Sequence, residues 1–194
     1  MTIVLASNNA GKIKEIQELL DGHEILSLED IGFLDEIVED GDTFLDNALI
    51  KAKTVSNFLK EKGLNYPVLA DDSGLCVPSL GGKPGIYSAR YAGDHDAAAS
   101  RKKLISRLQN QNDRSAYFIC QVIYYQGDDY KSFEGRTYGT ILEEEKGSNG
   151  FGYDSIFLSD DLHKSFGESS DEEKNKVSHR GRAIQKFVDF IKEK

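Results

Sequence analysis

The stretch Thr2-Ile3-Val4-Leu5-Ala6-Ser7-Asn8-Asn9-Ala10-Gly11-Lys12 sets the character of the chain. Thr2 to Ala6 is a short apolar run rich in β-branched side chains and predicts a strand. Ser7 to Gly11 is a polar loop, after which Ile13, Ile16, Leu19 and Leu20 recur at helical spacing. A strand, a tight loop and a helix start bring backbone N–H groups together with Lys12, one turn in, and such a site suits an anion such as phosphate. It is not a P-loop, because Ile13 stands where Ser or Thr would hold Mg²⁺. Taken alone, the loop reads equally well as a polar connection with a solvent-facing lysine.

Working outward, a second and longer helix is expected from near Thr43, where Thr43 and Asp46 have capping-box-like spacing, through Ala48, Ala52, Val55 and Leu59 toward Gly63. Pro67 introduces a strand over Val68 to Ala70, leading into Asp71-Asp72-Ser73-Gly74 and then a Gly- and Pro-rich loop from Gly81 to Gly85. That reading puts a carboxylate pair at a strand end. Ala97 to Leu108 is amphipathic and helical in period. Ala116 to Tyr125 is a strong strand, joined through Gly127-Asp128-Asp129 to a partner at Tyr130 to Thr137 that most simply runs antiparallel. Gly147 to Tyr153 is too rich in glycine for regular structure, and Ile184, Phe187, Val188 and Ile191 mark a final amphipathic helix. Strands and helices alternate without a strict βαβ repeat, which favours a mixed α/β fold.

A length of 194 residues with 39% hydrophobic side chains suffices for one sizeable core, so the whole chain is expected to be a single domain. There is no apolar stretch long enough to span a bilayer and no leader-like start, which makes the cytoplasm the default compartment. Cys76 and Cys120 lack metal-ligand spacing and read as reduced core residues. A net charge of −9 argues against a nucleic-acid polymer or an anionic membrane as partner, so any phosphate site must be local. The acidic runs Glu143 to Glu145 and Asp171 to Glu173 read as solvated faces or helix starts.

Several residues could carry chemistry. If β geometry persists through Asp71 and Asp72, their side chains project to opposite sides, and only one faces a given ligand. Asn47 and Lys51 share a helix face, and Glu39 precedes that helix across Gly41, so an amide, an ammonium and a carboxylate could converge; a solvated helix face is the plainer reading. Phe151-Gly152-Tyr153-Asp154 pairs a stacking ring with a carboxylate, and Ser178-His179-Arg180 supplies hydrogen-bond donors, though each also suits packing or surface.

These weak signals coincide in one family. Ser7-x-Asn9-x-x-Lys12, Glu39-x-Gly41-x-Thr43-Phe44 with Asn47-Ala48 and Lys51-Ala52, Ala70-Asp71-Asp72-Ser73-Gly74-Leu75 through Gly81-Gly82 and Pro84 to Tyr91, Gly150 to Asp154, and Lys174 with Ser178-His179-Arg180-Gly181 resemble, in order, the inosine triphosphate pyrophosphatases. The blocks span nearly the whole chain. The resemblance implies an α/β fold with a mixed, curved central sheet flanked by helices, two lobes with an active-site cleft between them, and a homodimer. It implies hydrolysis of noncanonical purine nucleoside triphosphates such as ITP, dITP and XTP to the monophosphate and pyrophosphate, with Mg²⁺ as cofactor. It also implies roles: Ser7, Asn9, Lys12 and Lys51 hold the triphosphate, and Glu39 with Asp72 organises Mg²⁺. Asp72 activates water, and Phe151, Asp154, Lys174, His179 and Arg180 form the base pocket, with Ser73, Gly152 and Tyr153 among the substrate contacts. One departure is Ser155, where the family usually has proline, which bears on the rigidity of the base loop. Two competing readings are a Maf-like pyrophosphatase with other base preference and a non-catalytic nucleotide-binding module. The complete Phe151 to Asp154 and Ser178 to Arg180 blocks oppose the first, and Glu39 with Asp72 opposes the second.

Overall fold

The computed structural model describes residues 1–194. In chain order the elements are β1 (Thr2–Leu5), α1 (Ala10–Leu19), β2 (Glu24–Leu26), α2 (Phe44–Glu61), β3 (Val68–Cys76), α3 (Ala97–Arg107), β4 (Ser115–Gln126), β5 (Asp129–Ile141), β6 (Phe157–Ser159), α4 (Asp171–Val177) and α5 (His179–Lys192), with 3-10 turns between. The six strands form one sheet in the order β2-β1-β3-β4-β5-β6. β1 runs parallel to β2 and β3, whereas β5 and β6 are antiparallel, so the sheet is mixed as expected. β4 and β5 are adjacent and joined by Gly127 and Asp128 alone, a connection that only an antiparallel pair permits. Gly127 supplies the left-handed φ of 67° that the tight turn requires.

The chain divides into two compact units, one of residues 1–72, 120–135 and 183–194, the other of 73–119 and 136–182. In the first unit the period of two along the strands sorts side chains between two cores. Val4, Ala6, Val68, Ala70, Ile123 and Tyr125 pack with Ala48, Ala52, Val55 and Leu59 of α2. The alternate residues Ile3, Leu5, Leu69, Cys120, Val122 and Tyr124 pack with Ile16 and Leu20 at α1 and with Ala183, Ile184 and Phe187 of α5. Each large aliphatic or aromatic side chain buried in this way contributes about 1.5–3 kcal/mol. The second unit is built on Leu75, Val77, Leu104, Leu108, Phe118, Ile156, Phe157 and Phe166.

Three expectations are corrected. β3 does not stop at Ala70 but continues to Cys76, so Asp71-Asp72-Ser73-Gly74 lies inside a strand and not in a turn after it. These turn-prone residues stay extended because β3 lies between β1 and β4 in the sheet, and tertiary context overrides local preference. The face of α2 that carries Asn47 and Lys51 is not solvated, since these residues are only 3% and 8% exposed. Strands β4 and β5 extend beyond their expected ends, to Gln126 and Ile141. The run Asp171-Glu172-Glu173 is indeed a helix start, the first turn of α4, closed by a reciprocal capping box with Ser170.

Candidate active site

Two clusters of functional side chains form, one in each unit. In the first, the loop Ser7 to Asn9 is shaped by its own side chains: Ser7 Oγ accepts from the Asn9 N–H at 3.1 Å, and Asn9 Oδ1 caps α1 by accepting from the Lys12 N–H at 3.1 Å. Both accept through oxygen, which leaves the Ser7 O–H and the Asn9 amide NH₂ as donors of the kind a phosphate requires. Lys12 is not a solvent-facing lysine: its side chain is 15% exposed and Nζ lies 3.5 Å from Asp71 Oδ2.

The alternation in β3 divides the two carboxylates. Asp71 follows Leu69 onto the α1 face, where it meets Lys12 and accepts from the Cys120 thiol at 3.7 Å. Asp72 follows Ala70 onto the α2 face, which carries Lys51. Lys51 Nζ donates to the Asp71 carbonyl and pairs with Glu39 Oε1 at 3.1 Å. Burial opposes the lysine's charge, but Asp71, Asp72 and Glu39 outweigh it and raise its pKa. Asp72 is pushed up to about 6, chiefly by burial, with Lys51 and Lys12 opposing and Glu39 and Asp71 adding. Its Oδ2 is buried and accepts no hydrogen bond, an arrangement that costs free energy unless a cation or a proton donor meets it.

Glu39 is held by a contact that sequence reading left on the surface. The Gly41 N–H donates to Asn47 Oδ1 at 2.8 Å, which ties the loop to α2. A Cβ on Gly41 would lie 2.7 Å from Asp46 Cβ and 2.8 Å from Asn47 Oδ1, so only glycine permits this approach. Thr43 caps the same helix, its Oγ1 accepting from the Asp46 N–H at 3.0 Å, worth about 1 kcal/mol. A glycine two residues before a helix cap was the signal available in the sequence.

The second cluster is centred on Phe151. Asp154 Oδ2 accepts from the Phe151 N–H at 3.0 Å and from Lys174 Nζ at 2.6 Å. Gly150, with φ of 73°, brings its backbone so near this carboxylate that a Cβ would lie 2.1 Å from Oδ2. The Tyr153 hydroxyl donates to the Ser88 carbonyl at 2.6 Å, and burial pushes its pKa up to about 12. Lys174 Nζ stands 4.7 Å from the centre of the Phe151 ring, and the Arg180 guanidinium 5.9 Å. Arg180 is 1% exposed and donates to Ser73 Oγ at 2.8 Å; His179 stacks on Phe118 with centroids 4.8 Å apart. Lys174, His179 and Arg180 come together through the junction of α4 and α5, which Ser178 makes by capping the Gly181 N–H at 2.9 Å. Ser155 is largely buried, and its hydroxyl donates to Glu145 Oε1 at 2.7 Å.

Thus Ser7, Asn9, Lys12, Glu39, Lys51 and Asp72 belong to the first unit, and Ser73, Phe151, Gly152, Tyr153, Asp154, Lys174, His179 and Arg180 to the second. The first offers donors, two ammonium groups and an open carboxylate oxygen; the second offers an aromatic ring rimmed by cations and buried donors. The chain is 45% identical to a dITP/XTP pyrophosphatase of Clostridium perfringens, over 97% of this chain and 96% of that protein. It is 47% identical to the one from Bacillus licheniformis, over 95% of each. The Staphylococcus aureus Ham1 protein superposes with a TM-score of 0.87 at 38% identity, covering 100% of this chain and 99% of that one. A HAM1 protein from Coxiella burnetii gives 0.88 at 37%, covering 100% of both. Since residues 3–190 match the model of the Ham1 family and these relatives match across nearly their whole length, the chain belongs to the Ham1 family.

Proposed function

We infer that this protein hydrolyses noncanonical purine nucleoside triphosphates, ITP, dITP and XTP, to the nucleoside monophosphate and pyrophosphate, and so clears them from the nucleotide pool. The observation that carries the reading is the buried Asp72, with one oxygen unmet and with Lys51 and Lys12 acting on its charge.

The donor set fits Mg²⁺. Asp72 Oδ2 is an open anionic ligand, and Glu39 is a second carboxylate within the same cluster. Nowhere in the chain are three His, Cys, Asp or Glu side chains gathered as a metal cage. This suits an ion that keeps several waters and takes one or two carboxylates, with substrate oxygens completing its shell. Bound there, Mg²⁺ supplies charge neutralisation for the phosphate chain. Lys12 and Lys51 add positive charge, and the Ser7 hydroxyl and Asn9 amide donate to phosphate oxygens. Asp72 takes the proton of the attacking water; that water bonds to the α-phosphorus, the α–β bridging bond breaks and pyrophosphate leaves.

Phe151 stacks on the purine, and its ring tolerates any base. Selection falls to the edge, where hypoxanthine and xanthine present a C6 carbonyl acceptor and adenine an amino donor. The Arg180 guanidinium carries five N–H donors, and donors there or on His179 match the carbonyl and oppose the amino group. We further propose that residues 1–194 act as one catalytic domain, that two copies form a homodimer and that the enzyme works in the cytoplasm, beside the nucleotide pool. No helix is long and apolar enough to cross a membrane. The direct test is to incubate the protein with ITP, with and without Mg²⁺, and separate the products. IMP with pyrophosphate, formed only with the metal, supports the reading; IDP with orthophosphate contradicts it. Sedimentation velocity tests the dimer.

A further inference from the structure

The Phe151 turn is held from outside by a polar bridge that the reaction as described does not use. Arg101, on α3, donates from Nη1 to the Gly152 carbonyl at 2.8 Å and pairs through Nε with Glu145 Oε1 at 2.7 Å. The Ser155 hydroxyl donates to that same Glu145 oxygen at 2.7 Å, and the Ser155 carbonyl accepts from the Lys146 N–H at 2.8 Å. The bond from Ser155 foremost, opposed by burial and helped by the Arg101 charge, holds the Glu145 carboxyl below its usual range.

The turn needs this help. Gly150 and Gly152 both adopt left-handed φ, 73° and 61°, and two glycines give the free loop many alternative conformations. The other residues of the turn each have an anchor. Phe151 is tied by its N–H to Asp154, Asp154 by its carboxylate to Lys174, and Tyr153 by its hydroxyl to Ser88. Gly152 has no side chain, and its anchor is the carbonyl that Arg101 holds. Because the Arg101 side chain is 20% exposed and that of Glu145 53%, the ion pair is a weak contributor to overall stability, and its effect is local geometry.

We propose that Arg101, bridged to Ser155 through Glu145, is a positioning residue that fixes Gly152 and thereby presents the Phe151 ring to the purine of the substrate. The proposal rests on the reading that the Phe151 cluster takes the base. It gives Ser155 a task that proline, lacking a hydroxyl, cannot perform.

The test compares Arg101→Ala, Arg101→Lys, Glu145→Ala, Glu145→Gln and Ser155→Ala with the parent enzyme. Five quantities are measured: KM and kcat for ITP, inhibition by inorganic tripolyphosphate, calorimetric binding of inosine monophosphate, and thermal melting. Arg101→Ala is expected to raise KM about fivefold and weaken inosine monophosphate binding alike, with kcat within about twofold and tripolyphosphate inhibition unchanged. Arg101→Lys falls between, since one ammonium cannot both donate to the Gly152 carbonyl and keep its charge beside Glu145. Glu145→Gln keeps the acceptor and stays near the parent, whereas Glu145→Ala and Ser155→Ala move toward Arg101→Ala. Equal weakening of tripolyphosphate and nucleotide overturns the proposal, as does failure of Glu145→Gln to outperform Glu145→Ala. If the parent enzyme releases no pyrophosphate from any nucleoside triphosphate, the functional reading fails, and the calorimetric arm still decides whether the bridge orders a purine site.

Discussion

The clusters around Asp72 and Phe151 both bury carboxylates, but they treat them in opposite ways. Asp154 is paired with Lys174, both side chains 5% exposed, and also accepts from the Phe151 N–H. Asp72 has a buried oxygen that accepts nothing and two acidic neighbours, Asp71 and Glu39, that add to its proton affinity. The first arrangement fixes a turn in one shape in advance of any ligand. The second is a standing cost to the fold, of the kind that persists where a ligand or a reaction uses it.

The largest expected effect is that of Asp72→Asn on turnover. The amide is nearly isosteric but is neither an anionic ligand nor a base, so kcat for ITP should fall by about 10³-fold. The melting temperature of the metal-free protein should hold or rise, because a buried charge with an unmet oxygen is removed. Asp154→Ala sharpens the contrast. It takes the Asp154 carboxylate away from the buried Lys174 ammonium and should cost about 3–5 kcal/mol of stability, read as a lower midpoint in denaturant titration. Equal destabilisation by the two substitutions would break the distinction.

Smaller effects separate the clusters by ligand. Lys12→Ala should lower kcat/KM by about ten- to a hundredfold, and by the same factor for ITP, XTP and the residual rate with ATP, because the lost contact is to phosphate. A change confined to base preference would move Lys12 to the other cluster. The smallest effect expected is that of Gly41→Ala. The added Cβ must push Asn47 or Asp46 aside, which loosens the loop carrying Glu39 and should raise the Mg²⁺ concentration for half-maximal rate by about two- to fivefold, with little change in KM for ITP at saturating metal.

What could be read in the sequence follows from where the physics is local. β1, α1 and α2 were legible because period and capping residues agree there, although α1 starts at Ala10, inside the stretch expected as loop. The extension of β3 through Asp71 to Gly74 was not, since only the neighbouring strands hold those residues extended. β2 and β6 have three residues each, too few to display a period. The division of labour between Asp71 and Asp72 was half legible: alternation foretold opposite faces, but which face held Lys51 required knowing that Ala70 packs on α2. Arg101 was invisible as a functional candidate, because its contacts with Gly152 and Glu145 join positions 51 and 44 residues away along the chain.

We propose that a base-tolerant phosphate cluster and a base-selective aromatic cluster serve one hydrolysis. Pyrophosphate release measured side by side for ITP, XTP, ATP and GTP with the unmodified protein tests it most directly. Two or more mismatched polar groups at about 1–3 kcal/mol each predict that kcat/KM for ITP and XTP exceeds that for ATP by about a hundredfold or more. Guanine shares the C6 carbonyl, so GTP must be turned away at its 2-amino group and should also be poor. Comparable rates for all four nucleotides, or orthophosphate in place of pyrophosphate, would contradict the claim.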